Sequence, residues 1–266
     1  MSFSNTAVVV STHAKTLTKS GDWYNAVIDI RDQNFENFFV LFDNKTNKST
    51  EELIEAYGNV NFCLYNEDDF KQQAFDKPID TRHRWGSHQN PNYFYAHFRM
   101  LLFWLKNPHY DYYWFFDDDV TFAGDLKQLL ASYENQTQDF IAIQVFKKED
   151  YGHEFPFVSK ANEKMGSNGN WLFFAPGPGD NYKSVDRHMG SFFPIVRFSR
   201  QALQHLYNVH QEGYYGYSEG FVPTTIASTP GFTVASMIDD EDNYFIKPNS
   251  NCQLFHKHFK FTWTWI

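Results

Sequence analysis

Four short apolar runs, Ala7–Val10, Phe38–Phe42, Val60–Tyr65 and Tyr112–Phe116, punctuate the first half of the chain, and the stretches between them read as helices. Each run is continuous rather than alternating, the pattern of a strand buried on both faces. Asp22 opens the first helical stretch, with Val27 and Ile30 near one face. Thr50 reads as the N-cap of EELIEAY, with Gly58 at the C′ position. The third stretch, Pro91–Leu105, is apolar on most sides and suits a buried helix. Strand and helix in this order specify an α/β fold with a mostly parallel central sheet and helices on both faces. Ligands of such sheets bind at the carboxyl ends of the strands, where Ser11, Thr12, Asp43 and Asp117 fall.

The second half has another texture. Residues 147–190 are rich in Gly, Pro and polar residues with embedded aromatics, and read as long substrate loops. Met189–Phe193 reads as a place where Gly190 lets backbone approach a ligand, or as a plain turn. Ser199 then caps a helix that Gly213 ends, and a short strand follows at Phe232–Ile238. With no internal repeat, linker or low-complexity tract, the 266 residues are expected to form one domain, 1–266.

Composition narrows the partners. Asp and Glu outnumber Lys and Arg by 32 to 23, a formal charge of −9 that repels polyanions, so no nucleic acid is expected. Aromatic residues reach 20%, more than an ordinary core needs, so some rings are expected on a binding surface where sugars or bases stack. Trp171, Trp263 and Trp265 are candidate platforms, core packing being the alternative for each. Cys63 and Cys252 lack finger spacing and suit a reducing compartment. Neither a signal peptide nor a run of about 18 apolar residues is present, so the expectation is a cytoplasmic chain with no transmembrane segment.

The sharpest chemical signal is YYWFFDDDVTF, in which Asp117, Asp118 and Asp119 follow an aromatic strand. Ionised carboxylates this close repel and raise one another's pKa, and a divalent cation resolves the conflict because hard metals prefer carboxylate oxygen. A solvated acidic turn is the plain alternative. The pattern resembles the DxD motif of glycosyltransferases with the GT-A fold: a hydrophobic strand, Asp117-x-Asp119, then Val120. The preceding strand–helix order is similar to the nucleotide-binding half of that fold, which implies a nucleotide-sugar-binding half at 1–122 and a loop-rich acceptor-binding half at 123–266. The resemblance implies that Asp117 faces the ribose and shares the metal, Mn²⁺ or Mg²⁺, with Asp119, and that Asp118 takes part in either role. It also implies that Asp43 contacts the nucleoside, with Ser11 and Thr12 nearby. Asp117–Thr121 matches the haloacid-dehalogenase phosphatase motif DxDx[TV] as well, although that motif ends the first strand of its domain and three strands precede it here.

Supporting residues extend the site. Glu219, in YSEGFVP, stands where the resemblance places the general base of sugar transfer, or else is a first-turn carboxylate facing a helix dipole. In the tail, His256 and His258 fall on one face if the segment is a strand. The resemblance implies one metal ligand here, preferably His256. Arg99 is a candidate partner for a carboxylate or phosphate, or snorkels to the surface. These residues together describe a metal-dependent transferase that takes a sugar from a nucleotide-sugar to a glycan, lipid-linked or protein acceptor. An Mg²⁺-dependent phosphatase using Asp117 and Asp119, or a non-catalytic carbohydrate-binding relative, are the other classes.

Overall fold

A computed structural model describes residues 4–13, 22–76, 95–118, 120–124, 126–147, 189–216, 218–237 and 252–256. The strands are β1 (Thr6–His13), β2 (Phe38–Asp43), β3 (Asn61–Tyr65), β4 (Tyr112–Asp117), β5 (Val120–Gly124), β6 (Phe140–Lys147), β7 (Met189–Ser199), β8 (Val234–Ser236) and β9 (Cys252–His256). The helices are α1 (Asp22–Arg31), α2 (Thr50–Tyr57), α3 (Glu67–Gln72), α4 (Ala96–Lys106), α5 (Leu126–Ala131), α6 (Arg200–Gln211) and α7 (Ser218–Ala227). Seven strands form one sheet in the order β3-β2-β1-β4-β7-β6-β8, and β5 pairs with β9 in a separate ribbon.

The first four strands are parallel, as the continuous apolar runs imply. The chain winds outward from β1 through β2 to β3, then returns to lay β4 on the other side of β1. The antiparallel β7 then joins β4 to β6. Side chains alternate across the sheet. Ala7, Val9, Tyr113 and Phe115 pack with α4, α6 and α7 on one face, while Val8, Val10, Trp114 and Phe116 pack with α1, α2 and α5 on the other. Helices therefore cover both faces, as expected.

Several boundaries differ from the sequence reading, each for a local reason. The cap of α2 is Ser49 and not Thr50: Ser49 Oγ accepts from the Glu52 N–H at 3.2 Å while Glu52 Oε2 accepts from the Ser49 N–H at 2.9 Å. Only Ser49 has a glutamate three residues on, so only it can close a capping box. Gly58 does end the helix, at φ +83°, a left-handed conformation natural to glycine. Of the expected Pro91–Leu105 helix, α4 covers Ala96 onward and residues 91–94 lie outside the described residues, while the predicted 232–238 strand contracts to β8. Met189–Phe193 is the opening of the long strand β7 and not a turn, because its backbone pairs with β6 from Met189 onward. Ser199 caps α6 as predicted, its hydroxyl accepting from the Ala202 N–H at 3.1 Å. The described aromatic rings pack in the core: Phe75 stacks on Phe98 at 4.6 Å, and Ile54 is the sole large hydrophobic among the described residues that is exposed. Trp171, Trp263 and Trp265 lie outside the described residues.

Candidate functional site

Strand order puts a reversal between β1 and β4, and in open α/β sheets the crevice at such a reversal is where ligands bind. Register fixes which residues meet there: Ser11 lies opposite Asp117, and on the other side of β1 His13 lies opposite Asp43. The carboxyl edge thus gathers Ser11, Thr12, Asp43, Asp117 and Asp118 from three strands separated by up to about a hundred residues of sequence.

The acidic groups on this edge are tied into the fold. Thr12 Oγ1 donates to Asp118 Oδ2 at 2.9 Å, and His13 Nδ1 lies 3.4 Å from the same oxygen. Arg99, reaching from α4, pairs with Asp117 through Oδ1, and both side chains are mostly buried. The expectation that Arg99 serves a carboxylate names its partner here. Asp43 is buried, with Lys45 Nζ 3.5 Å from its Oδ2. Burial raises its pKa above the usual carboxylate value, while Lys45, His13 and Arg99 pull the other way. Burial likewise pushes the Tyr65 phenol upward at the end of β3, against the field of Arg99. A cluster of carboxylates bracketed by Arg99, Lys45 and His13 suits a ligand that brings its own charge balance, such as a phosphate group with a cation.

Asp119 lies outside the described residues, and of His256 the backbone alone is described. That backbone is informative. The β5–β9 register sets His256 opposite Val120, the residue after Asp119. Carboxylate and imidazole donors together suit a first-row divalent ion. Among the described residues, no three His, Cys, Asp or Glu side chains converge as a metal site. His258 lies outside the described residues.

Glu219 sits in the first turn of α7, half-buried. Its helix is fastened at both ends of that turn. Ser218 Oγ accepts from the His97 N–H at 3.3 Å and lies 2.9 Å from His97 Nδ1. Ser191 Oγ on β7 donates to the Glu219 carbonyl at 3.4 Å. His97 is thus a member of the site that sequence reasoning missed, as are His13, Lys45 and Tyr65. A lone histidine in an aromatic helix carries no local signal of a partner 121 residues away. His13 and Tyr65 were legible as strand-end residues on the same edge as Asp43.

No known family profile matches the chain, and no curated protein matches it. Solved structures do. WbbM, a bifunctional glycosyltransferase, aligns at 17% identity and a TM-score of 0.44 over 87% of this chain, which spans only 38% of that protein. Mouse xyloside xylosyltransferase 1 aligns at 11% identity and a TM-score of 0.43, covering 86% of this chain and 84% of that one. The galactosyltransferase LgtC, solved with donor and acceptor sugar analogues, aligns at 14% identity and 0.42, covering 86% and 73%. These three are glycosyltransferases, and a putative glucose-1-phosphate thymidylyltransferase from Bacillus anthracis aligns in the same range, at 10% identity and a TM-score of 0.41, covering 88% of this chain and 87% of that one.

Proposed function

We propose that the protein is a metal-dependent glycosyltransferase that moves a sugar from a nucleoside-diphosphate donor to a hydroxyl of a glycan, lipid-linked or protein acceptor. The observation that carries this reading is the register at the reversal: Asp117 and Asp118 leave β4 beside Ser11 and Thr12 of β1, where a nucleotide is bound in sheets of this topology. Residues 1–122 supply the donor half, with Asp43, Ser11 and Thr12 toward the nucleoside and Asp117 toward the ribose. Residues 123–266 supply the acceptor half.

Asp119, Asp117 and His256 would hold Mn²⁺ or Mg²⁺, and the pairing of Asp117 with Arg99 does not exhaust a carboxylate's acceptor sites. When bound, the cation neutralises charge developing on the departing diphosphate. Arg99 fixes the rotamer of Asp117, so the carboxylate does not have to be ordered as the donor arrives. Glu219 accepts the proton of the acceptor hydroxyl as that oxygen bonds to the anomeric carbon. The bond from that carbon to the diphosphate oxygen breaks, and its electron pair leaves with the diphosphate. General-base assistance of this kind is worth roughly 10²–10⁴-fold. The phosphatase reading is not favoured, because the aspartates end β4, after three parallel strands, whereas that motif ends the first strand of its domain.

The test is a thermal-shift series of UDP, GDP and sugar nucleotides, each with Mn²⁺ and with chelator. A ligand at a hundred times its dissociation constant adds about 2.7 kcal/mol. A shift with one nucleoside diphosphate that vanishes on chelation is the expected result. The absence of any nucleotide shift overturns the reading.

A further inference from the structure

We infer that His97 is a positioning residue: through Ser218 it holds Glu219 in fixed relation to the aspartate edge. The inference rests on the glycosyltransferase reading. Its core is that one helix end serves both halves of the site. Arg99 of α4 grips Asp117, and His97, two residues earlier and on nearly the opposite side of the same helix, grips the first turn of α7.

The hydrogen-bond inventory defines the arrangement. Ser218 Oγ accepts from the His97 backbone N–H and lies 2.9 Å from Nδ1, so hydroxyl and ring share a hydrogen bond whichever of the two supplies the hydrogen. His97 is 1% exposed, and burial, aided by the field of His210, pushes its pKa down to about 3. It stays neutral throughout the working range and exchanges no proton with a substrate. Phe98 and Phe221 flank the ring at 4.5 and 5.5 Å, a surrounding that a phenyl ring would fill equally well. Nε2 is buried without a hydrogen-bond partner among the described residues, which costs stability. The backbone N–H still donates to Ser218 in a phenylalanine variant; what the imidazole alone supplies is the second, shorter bond at Nδ1.

The far side of the same turn is held independently. Pro223 has no N–H, so the Glu219 carbonyl four residues earlier receives no helical bond from it, and Ser191 Oγ donates there instead. One residue further on, Thr224 Oγ1 accepts from the Met189 N–H at 2.9 Å and donates to the Met189 carbonyl at 3.0 Å. The turn bearing Glu219 is thus clamped between α4 and β7, and the α4 side of the clamp is His97.

The test compares H97F with H97N, whose amide places a polar atom near the position of Nδ1. Metal-dependent nucleotide affinity, thermal stability and transfer kinetics are measured on the full chain. H97F is expected to bind nucleotide like wild type, to melt no earlier, and to lose about 10- to 100-fold in kcat with donor KM unchanged. H97N is expected to recover most of that loss. A filler role predicts full kcat for H97F, and that result overturns the inference while the transferase reading stands. Wild-type protein with no metal-dependent nucleotide binding overturns both, and does so before any variant is made. If H97F fails to fold, S218A against S218T asks the same question: equal kcat in the two overturns the inference, and a loss in S218A alone supports it.

Discussion

Two arginines reach into the sheet from its two halves, and they are used differently. Arg99, beside the parallel strands, meets a carboxylate at the carboxyl end of β4. Arg197, on the antiparallel strand β7, is buried and donates to the carbonyls of Tyr133, Gln136 and Gln138 at 2.6, 2.7 and 3.0 Å. The rings of Tyr112 and Trp114 lie 4.4 and 5.9 Å from its guanidinium carbon. Burial pushes its pKa down to about 10, yet it remains charged at neutral pH. A guanidinium that donates to three backbone carbonyls is fixing the loop after α5, and its Nε is buried without a hydrogen-bond partner among the described residues. The parallel half sets its charges where chemistry can use them, and the antiparallel half closes its charge inside the architecture.

That contrast predicts that the two halves break in different currencies. The largest effect belongs to D119A, which is expected to abolish metal-dependent turnover, a loss on the order of 10³-fold, with the melting temperature near that of wild type. Sugar-transfer rates with and without Mn²⁺ check it, and retained activity would remove the triplet from the mechanism. R197M is expected to do the reverse. It strands three carbonyls that had a charged donor, so unfolding in urea should shift by about 3–5 kcal/mol. Nucleotide affinity of the fraction that remains folded should not change. Unaltered urea stability in R197M would collapse the distinction between the two arginines.

The same division governs what was legible in the sequence. Parallel strands buried on both faces announce themselves as unbroken apolar runs, so β1 to β4 were readable, and with them the edge that carries Asp43 and Asp117. Strands β6 and β7 were not read, although the apolar run FIAIQVFK is framed in sequence by Asn135 to Asp139 before it and Glu149-Asp150 after it; Gly190-Ser191 at the head of β7 suggests a turn. Their pairing is a long-range event with no local mark. The capping box of α2 was present in the letters, since Ser49 and not Thr50 precedes a glutamate by three. His97 was beyond reach, because its meaning depends on Ser218, which tertiary packing alone brings to it. Asp117 could be read as functional but its tie to Arg99 could be named only as a candidate, since α4 and β4 must pack before the two can meet.

A finer probe of the ligand edge is T12V. It keeps the β-branched shape that suits a strand and deletes the hydroxyl that Asp118 accepts from, so a loss of about 1–2 kcal/mol is expected. T12S, which retains the donor, should recover most of it in the same urea titration. Equal stability of T12V and wild type would mean that β1 and β4 are held at this edge by their backbone register alone.

The smallest effect, and the one with a sign opposite to the rest, is expected from D43N. Asp43 holds its proton more tightly in the folded chain than in the unfolded one, chiefly because of burial. Below the unfolded pKa the carboxyl is neutral in both states and imposes no charge penalty. As pH rises through the raised folded value, ionisation costs stability, and the cost is complete above it. An amide never ionises, so D43N should be more stable than wild type at pH 7 and indistinguishable from it near pH 3, as read by melting temperature across that range. Lys45, 3.5 Å away and partly exposed, offsets part of the cost and is screened by salt, so the advantage of D43N should widen as ionic strength rises. A carboxylate kept at a buried strand end against its own stability is what the ligand edge requires if Asp43 contacts a nucleoside. D43N should then bind nucleotide more weakly than wild type even as it melts later, whereas R197M melts earlier with its nucleotide affinity intact.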